Sequence, residues 1–352
     1  MKAIGIETGS EGPRLLDVPR PDPDPGAVLV RTLRVGIDGT DHEVIAGSYG
    51  GPPAGEDHLV LGHEAVGVVV EPTTTDFEVG DVVTPTVRRP PPEGTNEYFE
   101  RVEADLAPPS ACVERGIDGA HGFMSEYFTS PAQYLIPVPD AHAEWGFLTE
   151  PISVTEKALE LARASRSSFT WEPETALVLG NGPLGLVALA MLVPDFEVYC
   201  LGRRDRPDPS IDLIESLGAT YVDSRETPAD EVSTVYEPVD LVYEATGYAK
   251  HAVQSIDALA PNGVAALLGV PGSREFTIDG GRFHRELVVT NKAIVGSVNS
   301  GPKHFHAATD RLAGVPSGFF DDYVTDIAPV EEFETALDPD RPMKTAVEFD
   351  SP

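Results

Sequence analysis

The chain has 352 residues, 41% of them hydrophobic, enough for two domains with cores of their own and too apolar for a disordered chain. Asp and Glu total 58 against 25 Lys and Arg, and the net charge of −33 excludes nucleic acid and anionic membrane as partners. No apolar run approaches the roughly eighteen residues of a membrane span.

The acidity is spread along the chain rather than gathered in a tail, the composition expected in a salt-loving archaeon's cytoplasm, where molar salt screens charge over about 3 Å. The two cysteines, Cys112 and Cys200, imply no disulfide framework and rule out a four-cysteine zinc site; a reducing cytoplasm is the simplest compartment.

Met1 to Glu7 reads as a first strand, without the apolar region of a signal peptide. A proline-acid loop, 19–26, leads into the β-branched strand 27–35. Asp38-Gly39-Thr40-Asp41-His42 follows. Asp38 reads equally as an Asp-Gly turn residue or as an oxygen donor, Thr40 as a turn or cap threonine, and His42 as structural. Next come Gly62-His63-Glu64 and the buried-strand run 66–70, then Gly80-Asp81. Imidazole and carboxylate are both zinc donors, although a lone His-Glu pair is ordinarily a core histidine beside a surface carboxylate. Short strands and loops dominate to about residue 150. Glu150-Pro151 then opens a helix, and Glu150 there is also what a helix dipole favours.

From Thr175 strands alternate with helices. Strand 175–179 runs into Gly180-Asn181-Gly182-Pro183-Leu184-Gly185, and an apolar helix, 186–192, follows. A strand before and a helix after this G-x-G-x-x-G give it the context of a dinucleotide site, with the pyrophosphate on the helix N-terminus. The second strand, 197–201, ends at Arg203-Arg204 where an NAD enzyme would carry an acid; two arginines favour the 2′-phosphate of NADP, with NAD tolerated. Later strands are read at 240–247, 263–271 and 288–300, and a last helix and strand at 330–337 and 345–349.

Gly62-His63-Glu64, Gly67 and Gly80-Asp81 together resemble the signature of the zinc-dependent medium-chain alcohol dehydrogenases, over nearly the whole length, and most closely their glucose dehydrogenase branch. The resemblance implies an α/β protein: a GroES-like, β-rich catalytic domain (1–165), a Rossmann domain with a doubly wound parallel sheet (166–300), and a return to the catalytic domain (301–352). It implies one catalytic zinc held by Asp38, which stands where the family carries a cysteine, with His63, Glu64 and Glu150. It implies a sugar contacted by Thr40, Glu114, Glu150 and Asn299, with Thr40 or Glu150 moving the proton. Leu268, Gly269, Val270, Ser297, Val298 and Asn299 would line the cofactor beside the glycine turn. The lobe 88–119, which holds a second, structural zinc in many relatives, would lack it and be packed through Tyr98 and Phe99.

The implied activity is oxidation of D-glucose at C1 to the lactone with NADP or NAD, opening a modified Entner–Doudoroff route, in a homodimer or homotetramer. A polyol or secondary-alcohol dehydrogenase is the rival of the same class. A zinc-free quinone-reductase-like protein or a noncatalytic nucleotide-binding relative is the rival of another.

Overall fold

The computed structural model describes every residue except Ser317, Pro342 and Pro352. It divides into two compact units, Met1–Ser153 with Asn299–Gly314 and Val324–Pro352, and Val154–Val298 with Val315–Tyr323. The chain leaves the first unit within the helix Thr149–Ala164, ahead of the boundary expected at residue 165.

The first unit is built on a seven-stranded sheet whose centre is the strand Ala27–Ile37. This strand is buried along nearly its whole length, which suits its largely apolar sequence, interrupted by Arg31, Thr32 and Arg34. Glu64–Pro72 and Lys344–Glu348 pair with it antiparallel from either side, so Gly36 lies opposite both Glu64 and Ala346. Buried Arg34 ties the same region together, donating from Nε to Glu348 at 2.9 Å. The core beneath the sheet includes Val30, Val35, Leu61, Val69, Phe123, Met124, Phe128 and Phe305. A three-stranded sheet, Arg88–Arg89, Val113–Arg115 and Gly119–Ala120, carries the lobe.

The second unit holds a six-stranded sheet, parallel throughout. Numbering its strands 1 to 6 along the chain, they lie in the order 3-2-1-4-5-6, and strands 1 and 4 are Thr175–Leu179 and Val239–Glu244. This is the doubly wound dinucleotide-binding order, with its ligand crevice at the carboxyl ends of strands 1 and 4.

One segment differs from the expected elements. Val288 and Val289 end the helix Gly280–Val289, and the last strand is only Ala293–Gly296. Their β-branched side chains suggested a strand, but the helical period of the preceding residues prevails.

Candidate active site

Asp38 ends the central strand and caps the helix Gly39–Ile45. Its Oδ1 accepts from Asp41 N at 3.0 Å, while Asp41 Oδ2 accepts from Asp38 N at 3.1 Å, a reciprocal capping box. Its other oxygen, Oδ2, accepts from the Thr40 hydroxyl at 3.1 Å and lies 3.5 Å from His63 Nε2. The two sequence readings of Asp38 therefore hold together, one on each oxygen. His63 is placed by Gly62, whose φ of +85° turns the chain into strand Glu64–Pro72. Its other nitrogen, Nδ1, lies 3.8 Å from Asp41 Oδ1, and both atoms are buried without a hydrogen-bond partner.

Glu150 comes from the first turn of helix Thr149–Ala164, and donor atoms of His63, Glu64 and Glu150 lie within 4.8 Å of one another. Glu64 is ion-paired with Lys344, whose Nζ also donates to Ile37 O at 2.7 Å; both side chains are fully buried. Four carboxylates, Asp38, Asp41, Glu64 and Glu150, thus meet one imidazole and one ammonium in a largely buried cluster.

The titration of these groups reflects that crowding. Burial pushes the Glu150 carboxyl up to about 8, with Glu64 and Asp38 adding to the shift and His63 opposing it. Burial likewise pushes Asp41 up to about 7, and raises Glu64 against the pull of Lys344. At Asp38 the effect of burial is outweighed by His63, and its carboxyl is held below the ordinary range. At His63 burial is outweighed by Asp38 and Asp41, and the imidazole pKa is raised well above its usual value.

This donor set fits zinc. Ligands about 2.0–2.2 Å from a tetrahedral ion lie roughly 3.3 Å apart, close to the spacing of His63 Nε2 and Asp38 Oδ2. The excess of buried negative charge and the unpartnered atoms are what a bound cation would resolve. A second, surface group does not fit. His121 Nδ1 accepts from Val60 N at 3.2 Å, which leaves the ring proton on Nε2, 2.8 Å from Glu56. Although Glu56, His58 and His121 are close, His121 keeps no lone pair for a metal.

Two of the expected sugar residues, Glu114 and Asn299, also meet within the first unit. Asn299 Nδ2 is 3.5 Å from Glu114 Oε1, and Tyr49 OH donates to Glu114 Oε2 at 3.3 Å. Asn299 has φ +56° and accepts from Ser300 N through its side chain. Ser300 Oγ is 2.5 Å from Ser153 Oγ, one turn along the helix from Glu150. Within the lobe Tyr98 and Phe99 are half-buried, and buried Arg88 holds the carbonyls of Asp105 and Ala107.

In the second unit Gly180 has φ +114°, and a Cβ on Gly185 would lie 1.9 Å from Gly180 O, so both positions require glycine. A Cβ on Gly182 would meet nothing within 4 Å among the described residues. The helix Pro183–Leu192 begins there with no side-chain cap, which leaves the Leu184 and Gly185 amides open to an anion. The Asn181 side chain is turned away from that role: it is buried and bonds Ser210 Oγ at 2.8 Å. Arg203 and Arg204 are exposed beyond strand Glu197–Gly202. Leu268, Gly269, Val270, Ser297 and Val298 line one cavity of about 430 Å³ together with Glu244 and Gly247.

Four functional neighbours escaped the sequence reading: Asp41, Lys344, Arg88 and Tyr49. Only Asp41 had a local signal, its capping-box spacing from Asp38.

The family models agree with this architecture. Residues 24–140 match the alcohol dehydrogenase GroES-like domain, and 143–349 match the glucose dehydrogenase C-terminus. The chain is 62% identical to a glucose 1-dehydrogenase of Haloferax mediterranei, over 99% of both chains, and 56% identical to one of Haloarcula marismortui, over 100% of both. It also superposes with a TM-score of 0.98, at 61% identity and full coverage of both chains, on the Haloferax mediterranei glucose dehydrogenase in complex with NADP, Zn and gluconolactone.

Proposed function

The chain belongs to the glucose dehydrogenase family of zinc-containing medium-chain alcohol dehydrogenases, and we propose that it oxidises D-glucose at C1 to glucono-1,5-lactone, passing hydride to NADP, with NAD as a second acceptor. The observation that carries this reading is the buried cluster of Asp38, His63, Glu64 and Glu150 beside the paired Glu114 and Asn299.

Asp38 Oδ2, His63 Nε2 and Glu150 would hold the zinc, with Glu64, braced by Lys344, as the charge behind them. Zinc bound there supplies Lewis acidity that lowers the pKa of the C1 hydroxyl. Asp41 Oδ1 faces His63 Nδ1 across 3.8 Å, and a negative charge there favours the ring proton on Nδ1 and leaves Nε2 to ligate. Thr40 Oγ1 gives its own proton to Asp38 Oδ2 and keeps lone pairs to accept the proton of the C1 hydroxyl. Glu114 and Asn299 orient the sugar through its other hydroxyls. Thr40 or Glu150 would take the proton of the C1 hydroxyl, and bound NADP would supply the acceptor for the C1 hydride, so the two-electron oxidation balances.

In the other unit the open amides at Leu184 and Gly185 receive the pyrophosphate, and Arg203 and Arg204 receive the 2′-phosphate. Leu268 to Val270 and Ser297 to Val298 wall the cofactor. The protein works in the cytoplasm as a homodimer or homotetramer. Supporting self-association, Val288 and Val289 are each 63% exposed on the helix just before the sheet's edge strand Ala293–Gly296.

Reduction of NADP by glucose in molar KCl, with and without zinc chelation, tests the whole reading. Full activity after chelation, or a clear preference for polyols over aldoses, would refute it.

A further inference from the structure

Arg88 and Glu114 face each other across two antiparallel strands, their Cα atoms in register. Arg88 is 5% exposed, and its guanidinium has two tasks. Nε donates to Glu114 Oε1 at 3.0 Å. Nη1 donates to the main-chain carbonyls of Asp105 and Ala107 at 3.1 and 2.9 Å. One side chain therefore holds both the 104–107 turn and the Glu114 carboxylate.

Glu114 is otherwise only loosely held. Tyr49 reaches Oε2 at 3.3 Å and Asn299 reaches Oε1 at 3.5 Å, the outer limit of a hydrogen bond. Tyr49 is brought there by the adjoining glycines: Gly51 N donates to Ile117 O at 3.0 Å, and Gly119 N donates to Gly51 O at 2.9 Å. The turn after Glu114 rests on the strand entering the metal cluster, for a Cβ on Gly116 would lie 2.3 Å from Gly62 O, next to His63. A displacement of Glu114 is thus a displacement at the sugar site.

We propose that Arg88 is a positioning residue for sugar recognition, with Tyr49 as its partner on the other carboxylate oxygen. Arg88 fixes the Glu114 carboxylate so that Oε2 presents one lone pair at a set angle to a sugar hydroxyl, and the preference among sugar epimers depends on it. The inference rests on the reading that Glu114 contacts the sugar. Lysine cannot substitute, because a single ammonium lacks the planar fork that serves a carboxylate and two carbonyls at once.

The test uses the full chain, zinc-loaded, in molar KCl, with Arg88→Lys, Arg88→Ala and Tyr49→Phe. Four quantities are read: KM and kcat for glucose and for one of its epimers, NADP dissociation, bound zinc, and hydrogen exchange of the Glu114 and Asp118 amides. Those amides bond Asp118 O and Glu114 O across the turn. Both Arg88 variants should raise the glucose KM about tenfold, the loss of one charge-assisted hydrogen bond. They should narrow the glucose-to-epimer ratio, speed exchange at the turn, and leave kcat, NADP and zinc within about twofold. Tyr49→Phe should narrow the ratio while exchange stays as in wild type. If Arg88→Ala does not fold, Arg88→Lys and Tyr49→Phe decide. A wild-type epimer ratio in folded Arg88→Lys overturns the proposal. Failure of the wild-type chain to oxidise glucose overturns the functional reading instead, and exchange at the turn then reports separately whether Arg88 holds it.

Discussion

Gly36 makes room for the Glu64 carboxylate: a Cβ on Gly36 would lie 2.2 Å from Glu64 Oε2 and 2.9 Å from the Phe147 ring. Neither neighbour can give way. Glu64 is tied to the buried Lys344, and Phe147 is fully buried. Gly36→Ala should destabilise the protein by about 1–3 kcal/mol through overpacking. It should also lower zinc occupancy by displacing Glu64. Thermal unfolding with metal analysis checks both, and a variant with wild-type stability and zinc content would show that the Glu64 side is soft.

The double duty of Asp38 separates capping from metal binding. Asn is as good an N-cap as Asp but a weaker, uncharged metal donor. Asp38→Asn should keep the helix Gly39–Ile45 and most of the stability while losing zinc and glucose oxidation. Asp38→Ala should lose both and cost about 1 kcal/mol more. Asp41→Asn, acting through His63 Nδ1, should weaken zinc about 10–100-fold without removing a ligand. Zinc titrations of the three variants rank these effects; equal zinc affinity in Asp38→Asn and wild type would exclude Asp38 as a donor.

The legibility of the chain follows how local each signal is. The Gly180 turn could be read because strand, glycines and helix are contiguous, and the structure places them in the expected order. Asp38, His63 and Glu150 lie far apart in sequence. Each also had an ordinary structural explanation, and family resemblance, rather than spacing, brought them together. Lys344 and Arg88 were missed because nothing beside them in the sequence marks a buried cation. Their partners, Glu64 and Glu114, are set by sheet pairing and tertiary packing. At Asn181 the motif says nothing of the side chain, which is buried on Ser210 and leaves the main chain toward the glycine turn.

The metal-free cluster should make stability fall as pH rises. Glu150 is raised from an ordinary 4.5 to about 8 and Asp41 from 3.8 to about 7, in both cases chiefly by burial. Between about pH 4 and 8 the folded state therefore holds protons that the unfolded state has released. Unfolding stability has a negative slope wherever the folded state binds more protons. The raised His63 acts in the same sense above its ordinary 6.5. Zinc requires those protons to leave, so its affinity should climb across the same interval. Chelated protein should melt higher at pH 5 than at pH 8, and Glu150→Gln should flatten that difference. A chelated protein that gains stability from pH 5 to 8 would contradict the assignment.

Arg203 and Arg204 decide the coenzyme only if their charge is free to reach a phosphate. Arg204 lies 4.0 Å from Asp208, a loose ion pair, and its backbone is fixed by Tyr221 OH at 2.9 Å. The nearby acids are engaged elsewhere, for Arg225 pairs with both Asp205 and Asp223. The formal charges around the strand end balance, so it is the loosely paired Arg204, beside exposed Arg203, that can turn toward a 2′-phosphate. Replacing both arginines with alanine should raise the NADP KM by about tenfold or more, one to two charge-assisted hydrogen bonds, and barely change the NAD KM. Because these side chains are exposed, the NADP preference should also shrink as KCl is raised. Coenzyme kinetics at two salt concentrations measure both effects. An unchanged NADP-to-NAD ratio in the double variant would move the 2′-phosphate site away from Arg203 and Arg204.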